Sequence, residues 1–139
     1  MIHRWANWRD VDIGWRWRWF SPREMADRHC GALTIDTSFM DWLSELRDTF
    51  GRPMSISSGY RTAEHQYDIT GRRSGAHVDA QAVDVRIFGE PAYALLQLAM
   101  RRRALGIGVA QLGIVDDRYL HIDRWVNAPE GLRPRVWSY

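Results

Sequence analysis

A single cysteine, Cys30, stands in a chain of 139 residues. No internal disulfide can brace the fold, and no multi-cysteine metal site can form. The chain must therefore be held by its own core. At this length it can bury about 68–70% of its unfolded surface, which needs no covalent staple. One domain spanning residues 1–139 is expected. Any metal site must be assembled from His, Asp and Glu. Cys30 itself, beside His29, reads as a small buried hydrophobe. No apolar run approaches the ~18 residues of a membrane span, so stable membrane insertion is not expected. The opening MIHRWANWRD lacks the apolar stretch of a secretory signal.

All 19 basic residues are arginine, and the net charge is only +2. The missing lysine reads as genome composition. The small charge makes a weak case for anionic partners. The densest unusual stretch is Trp15-Arg16-Trp17-Arg18-Trp19. If extended, it places three indoles on one face and the arginines on the other. A nucleic-acid or membrane patch is one reading. A short edge strand or extended arm, packing its indoles on the core, is the other and is adopted. No nucleic-acid partner is expected.

Ser21 caps a short helix through about Arg28, with Pro22 first and Glu24 third, and Gly31 closes it. Thr37 caps a longer helix. Its Phe39, Trp42, Leu43, Leu46 and Phe50 form one apolar face, and Gly51 and Pro53 stop it. Residues 54–58 read as a strand. Thr62 caps a helix through about Ile69, and 71–75 form a loop. Residues 82–88 alternate Val83, Val85 and Ile87 as a strand. Pro91 opens a helix with Ala92, Leu95, Leu96 and Ala99 inward. It ends at Arg101-Arg102-Arg103, where positive charge suits the helix dipole. Three strand-like stretches follow at 107–110, 112–115 and 119–123, with Asp116-Asp117 in the turn before the last. This mixture predicts an α+β fold with a small, mostly antiparallel sheet and flanking helices.

Among five histidines, His77 and His121 have informative neighbours. His77 precedes the strand that carries Asp84. His121 and Asp123 are two apart on a strand and share a face. If the two strands are neighbours, His77, Asp84 and His121 converge. Two imidazoles and a carboxylate are a common set for catalytic zinc, with a fourth position open. Alone, two histidines and an aspartate are too common a set to decide the matter.

The flanking text is more specific. Ser57-Ser58-Gly59-Tyr60-Arg61-Thr62, Glu64-His65-Gln66, Ser74-Gly75-Ala76-His77, Ala82-Val83-Asp84-Val85 and His121-Ile122-Asp123 follow in order at compact spacings. The set resembles the zinc D-Ala-D-Ala carboxypeptidase and L-Ala-D-Glu endopeptidase family (metallopeptidase family fifteen, with a hedgehog-like fold). Its pattern is a strand ending in SGYR, a histidine, an aspartate seven residues later, and a second histidine near the C-terminus. WRWFSPREM, LRDTFGRP and VWSY resemble phage and prophage members, so the likeness covers nearly the whole chain.

The resemblance implies Zn²⁺ held by His77, Asp84 and His121, activating a bound water and polarising the scissile carbonyl. It implies that Arg61 stabilises the oxyanion or anchors a substrate carbonyl. Ser74, Gln66, Tyr119 and Trp125 are the implied substrate-binding residues; the other readings are an orienting group or plain surface for Gln66 and core packing for Tyr119 and Trp125. Many relatives place an acid three residues before the last histidine as general base, but this chain has Arg118 there. Asp123 is the substitute expected, as base or as a structural carboxylate beside a ligand, and Asp117 is the second choice. Gly75 and Ala80 also depart from the common serine and glycine of the pattern.

The implied function is hydrolysis of peptide bonds in bacterial peptidoglycan, as a murein endopeptidase or a D-Ala-D-Ala carboxypeptidase. The alternative is a non-catalytic zinc-binding module acting in wall binding or phage assembly. A monomer is expected. It would reside in the host cytoplasm before release to the wall, or in the virion.

Overall fold

The computed structural model describes every residue from Met1 to Tyr139. Strands β1 (Ile2–Trp5) and β2 (Leu33–Asp36) form a two-stranded antiparallel sheet. Between them lies the one-turn helix α1 (Pro22–Met25). Helix α2 (Thr37–Phe50) follows, then β3 (Ser55–Ser58), α3 (Ala63–Thr70), β4 (Ala82–Arg86) and α4 (Gly89–Arg101). Strands β5 (Gly106–Ala110), β6 (Tyr119–Asp123) and β7 (Arg135–Ser138) complete the chain. The main sheet runs β3-β4-β6-β5-β7, antiparallel except for the parallel pair β5–β7. The fold is α+β, as expected. No helix is long and apolar enough to cross a membrane.

Alternation gives the main sheet two different faces. Val83 and Val85 of β4, Leu120 and Ile122 of β6, and Ile107 of β5 point to one side, each at most 2% exposed. There they join Phe39, Met40, Leu43 and Leu46 of α2 and Ala92, Leu95 and Ala99 of α4 in the main core. Each side chain buried to this extent contributes about 1.5–3 kcal/mol. The residues between them, Asp84 on β4 and Tyr119, His121 and Asp123 on β6, share the opposite face. In register, Asp84 lies beside His121, and His121 beside Gly108. Packing thus fixes the sheet, and its other face is left for chemistry.

Several boundaries differ from expectation. Helix α1 ends at Met25, not Arg28. Asp36, not Thr37, caps α2, accepting from Ser38 N and Phe39 N. Helix α4 starts at Gly89, with Pro91 inside its first turn, where no N–H is required. The 112–115 stretch is not a strand. Gly113 has φ +83°, the Arg118 guanidinium donates to the Gly113 carbonyl, and both edges of β6 are already paired. Cys30 is exposed, not buried. The 15–19 segment is an arm without strand pairing. Trp17 is buried, while Trp19 stays exposed. Arg16 and Arg18 are paired with Asp41 and Asp48 in exposed surface ion pairs.

Candidate metal centre

Each of the three expected ligands is set by a different device. Asp84 is placed by β4 and His121 by the adjacent β6. His77 lies in the loop before β4, and its Nδ1–H donates to the Gly59 carbonyl at 2.7 Å. A carbonyl only accepts, so this bond fixes the proton on Nδ1 and turns the Nε2 lone pair inward. His121 is fixed in the same way from its outer side. Its Nε2–H donates to Asp123 Oδ2 at 2.7 Å, so Nδ1 faces the cluster.

Three acceptor atoms therefore meet. His77 Nε2 lies 3.2 Å from His121 Nδ1, and Asp84 Oδ1 lies 3.3 and 3.1 Å from those two nitrogens. A tetrahedral site with bonds of about 2.0–2.2 Å has edges of about 3.3–3.6 Å, so the trio is just inside that size. These residues form the His/Asp group that could hold a metal ion, and all three are buried. The donor chemistry and spacing fit a borderline divalent cation.

The local electrostatics agree. Burial would raise the Asp84 pKa, but the two histidines override it and hold the carboxyl well below its usual range. Burial holds the His77 imidazole below its ordinary value, towards the neutral form a ligand needs. At His121, burial is outweighed by the hydrogen bonds and charges of Asp123 and Asp84, which raise its affinity for positive charge.

Arg61 sits against the outer oxygen of Asp84. Its Nη2 donates to Asp84 Oδ2 at 3.0 Å, Nη1 to Gln66 Oε1 at 3.1 Å, and Nε to Ser58 Oγ at 3.0 Å. A guanidinium has five N–H donors, so about two remain for a substrate. Gln66 is accordingly an orienting group for Arg61, although it also lines the cleft.

The trio opens into a cleft of about 590 Å³. Ser74, Tyr119 and Trp125, three of the residues implied to meet substrate, line it. Arg72, Arg133, Arg135, Trp137 and Tyr139 also line it and were not foreseen. Trp137 lies 5.0 Å from the His121 ring, and Tyr139 lies 5.2 Å from Tyr119. These two aromatics lean across β5 because Gly108 has no side chain. A Cβ there would lie 2.7 Å from the Trp137 indole nitrogen and 2.8 Å from the Tyr139 ring.

The two expected proton acceptors are placed differently. Asp117 is exposed and is not among the cleft-lining residues. Asp123 is completely buried behind His121, on the side away from the trio. Its oxygens accept from His121, Arg133 and the Trp125 N–H. Burial would raise its pKa, but the bonds from His121 and Arg133 bring it down to about 2. Asp84 is the sole carboxylate lining the cleft. Arg118, at the position where an acid was sought, turns away to the Gly113 carbonyl.

A family model described as Peptidase M15 matches residues 19–123. No curated protein and no solved structure gives a match.

Proposed function

The chain belongs to the Peptidase M15 family, and from that premise we propose that it is a zinc-dependent peptidase acting on the peptide stems or cross-bridges of bacterial peptidoglycan. The observation that carries the zinc reading is the inward-facing trio His77 Nε2, Asp84 Oδ1 and His121 Nδ1. When bound there, zinc would supply Lewis-acid polarisation of the scissile carbonyl and an activated water.

The remaining work falls to this chain's own side chains. Arg61 has donors left to hold negative charge developing on the carbonyl oxygen. The Tyr119 hydroxyl has its pKa pushed up by burial first and by Tyr139 second. It stays protonated at neutral pH, so it is a donor and not a base. We assign Asp123 to orienting His121, since its carboxylate faces the ring's outer nitrogen.

The cleft also supports an anionic peptide as substrate. Four arginines line it against one carboxylate. Arg61 and Arg133 are tied to Asp84 and Asp123, whereas Arg72 and Arg135 are exposed. Peptidoglycan stems carry free carboxylates that such groups would meet. Arg72→Gln and Arg135→Gln are each expected to raise KM about 3–10-fold with kcat retained, which is the signature of lost uniform binding. Steady-state kinetics on soluble muropeptides check this. An unchanged KM in both variants removes the arginines from substrate binding.

The direct test is turbidity loss and muropeptide release from purified walls. Chelation is expected to abolish both, and added zinc to restore them. Hydrolysis that survives complete metal removal overturns the reading. One observation favours a second reading, a non-catalytic zinc module: the cleft lacks a carboxylate beyond Asp84. Stoichiometric zinc without any hydrolysis of walls or muropeptides would establish it.

A further inference from the structure

We propose that Arg133 is a positioning residue of the metal centre, acting through Asp123 to fix the metal-facing nitrogen of His121. The inference rests on the zinc reading above. It concerns a residue beyond the family-matched region 19–123.

The geometry is a chain of directed contacts. Arg133 donates through Nη2 to Asp123 Oδ2 at 2.8 Å, and through Nε to Oδ1 and Oδ2 at 3.1 and 3.2 Å. This is a side-on fork, which fixes the plane of the carboxylate as well as its charge. Asp123 Oδ2 in turn accepts from His121 Nε2 at 2.7 Å. The side chain of Asp123 is 0% exposed and that of Arg133 is 11% exposed, so water does little to screen the pair.

The guanidinium is itself held. Its carbon lies 5.1 Å from the ring centroids of both Trp125 and Trp137. Its Nη1 donates to the Leu132 carbonyl at 2.9 Å. Opposite it, Gly106 leaves the space the pair occupies. A Cβ at that position would collide with Asp123 Oδ2 and come within 2.6 Å of Arg133 Nε. The glycine, two indoles and the arginine thus form a socket for one carboxylate, and that carboxylate faces one imidazole.

The consequence is positional. With the fork in place, Asp123 cannot rotate, and His121 keeps its proton on Nε2 and its lone pair towards His77 and Asp84. Without it, the carboxylate is left with the Trp125 N–H and His121 alone, beside the volume the guanidinium vacates. The imidazole then loses its fixed partner. Groups that orient metal ligands are typically worth 10–100-fold in metal affinity or activity.

The test compares the full chain with Arg133→Met, Arg133→Lys, Asp123→Asn and the double variant Asp123→Asn/Arg133→Met. The readout is zinc affinity by competition with a chromophoric chelator, with circular dichroism confirming the fold. Arg133→Met is expected to bind zinc about tenfold more weakly. Lysine is expected to restore only part of the loss, because it lacks the fork. In the Asp123→Asn background, Arg133→Met is expected to add less than about twofold. Should Arg133→Met fail to fold, Gly106→Ala crowds the same pair from the other side and is expected to weaken zinc similarly. A folded Arg133→Met with zinc affinity equal to or tighter than the parent overturns the inference, as does full additivity in the double variant. A parent chain that binds no zinc overturns the zinc reading instead, so the two failures are distinguishable.

Discussion

Replacing His121 by alanine is expected to abolish zinc retention and peptide hydrolysis together. His121 supplies one of three inward donors and is the one flanked by two carboxylates, Asp84 and Asp123. Two remaining donors cannot hold zinc as a closed three-point site does. Lewis-acid polarisation is worth several kcal/mol, so its loss lowers the rate by about 10³-fold or more. The strand itself should survive the change. Leu120 and Ile122 on either side remain in the core, 1% and 0% exposed. Asp123 keeps Arg133 and the Trp125 N–H as partners. The measurement is metal content by atomic emission beside muropeptide release, with circular dichroism as control. A folded His121→Ala protein that retains stoichiometric zinc and the parent rate would remove this trio from the function.

The shared face of His121 and Asp84 was legible because that signal is local, whereas choosing His77, Asp84 and His121 as a set took the flanking motifs. His121 and Asp123 are two residues apart on a strand, and Asp84 alternates with Val83 and Val85, so periodicity alone turned the polar residues to one face. The adjacency of β4 and β6 required the family resemblance or the register. Arg133 was not legible. It meets Asp123 across a ten-residue separation and a loop, and nothing in the spacing announces it. The one available hint was Gly106 and Gly108, two residues apart in an apolar stretch. Such a pair clears a lane on a single face of a strand, and Arg133, Trp137 and Tyr139 fill it.

The same limit governs the fold. Strand β7 was missed because it is an edge strand with a single neighbour, and most of its residues are exposed. It therefore shows no apolar alternation. Strand β2 was missed for the opposite reason. Leu33, Thr34 and Ile35 are all buried, which erases the alternation a half-buried strand would show. The 112–115 stretch was over-read because Leu112 and Ile114 look like strand residues. They are in fact exposed at 85% and 72%, around a glycine whose conformation an extended chain does not adopt.

A large stability effect is expected at Asp27, a residue the motif pattern does not include. Its carboxylate is fully buried and accepts four N–H groups: those of His29 and Cys30 at 2.7 and 3.2 Å, that of Thr62 at 2.7 Å, and His65 Nδ1–H at 3.0 Å. It thereby joins the turn after α1 to the cap of α3, one residue beyond Arg61. Asp27→Ala leaves the three backbone donors and the imidazole without their acceptor. A loss of about 3 kcal/mol at pH 7 is expected in urea unfolding. The pH dependence follows from the same bonds. Burial would raise the Asp27 pKa, but the hydrogen bonds from Thr62, His29, His65 and Cys30 lower it to about 2. The unfolded value is about 3.9. A carboxyl depressed on folding contributes fully above the unfolded pKa and loses its contribution as pH falls through the folded one. The difference between parent and Asp27→Ala should therefore be constant from pH 7 to about 5. It should shrink between about pH 4 and 2. Loss of the metal at acid pH affects both proteins and cancels in that difference. A gap below about 0.5 kcal/mol at pH 7, or one that widens on acidification, would show that Asp27 does not hold the α3 cap in place.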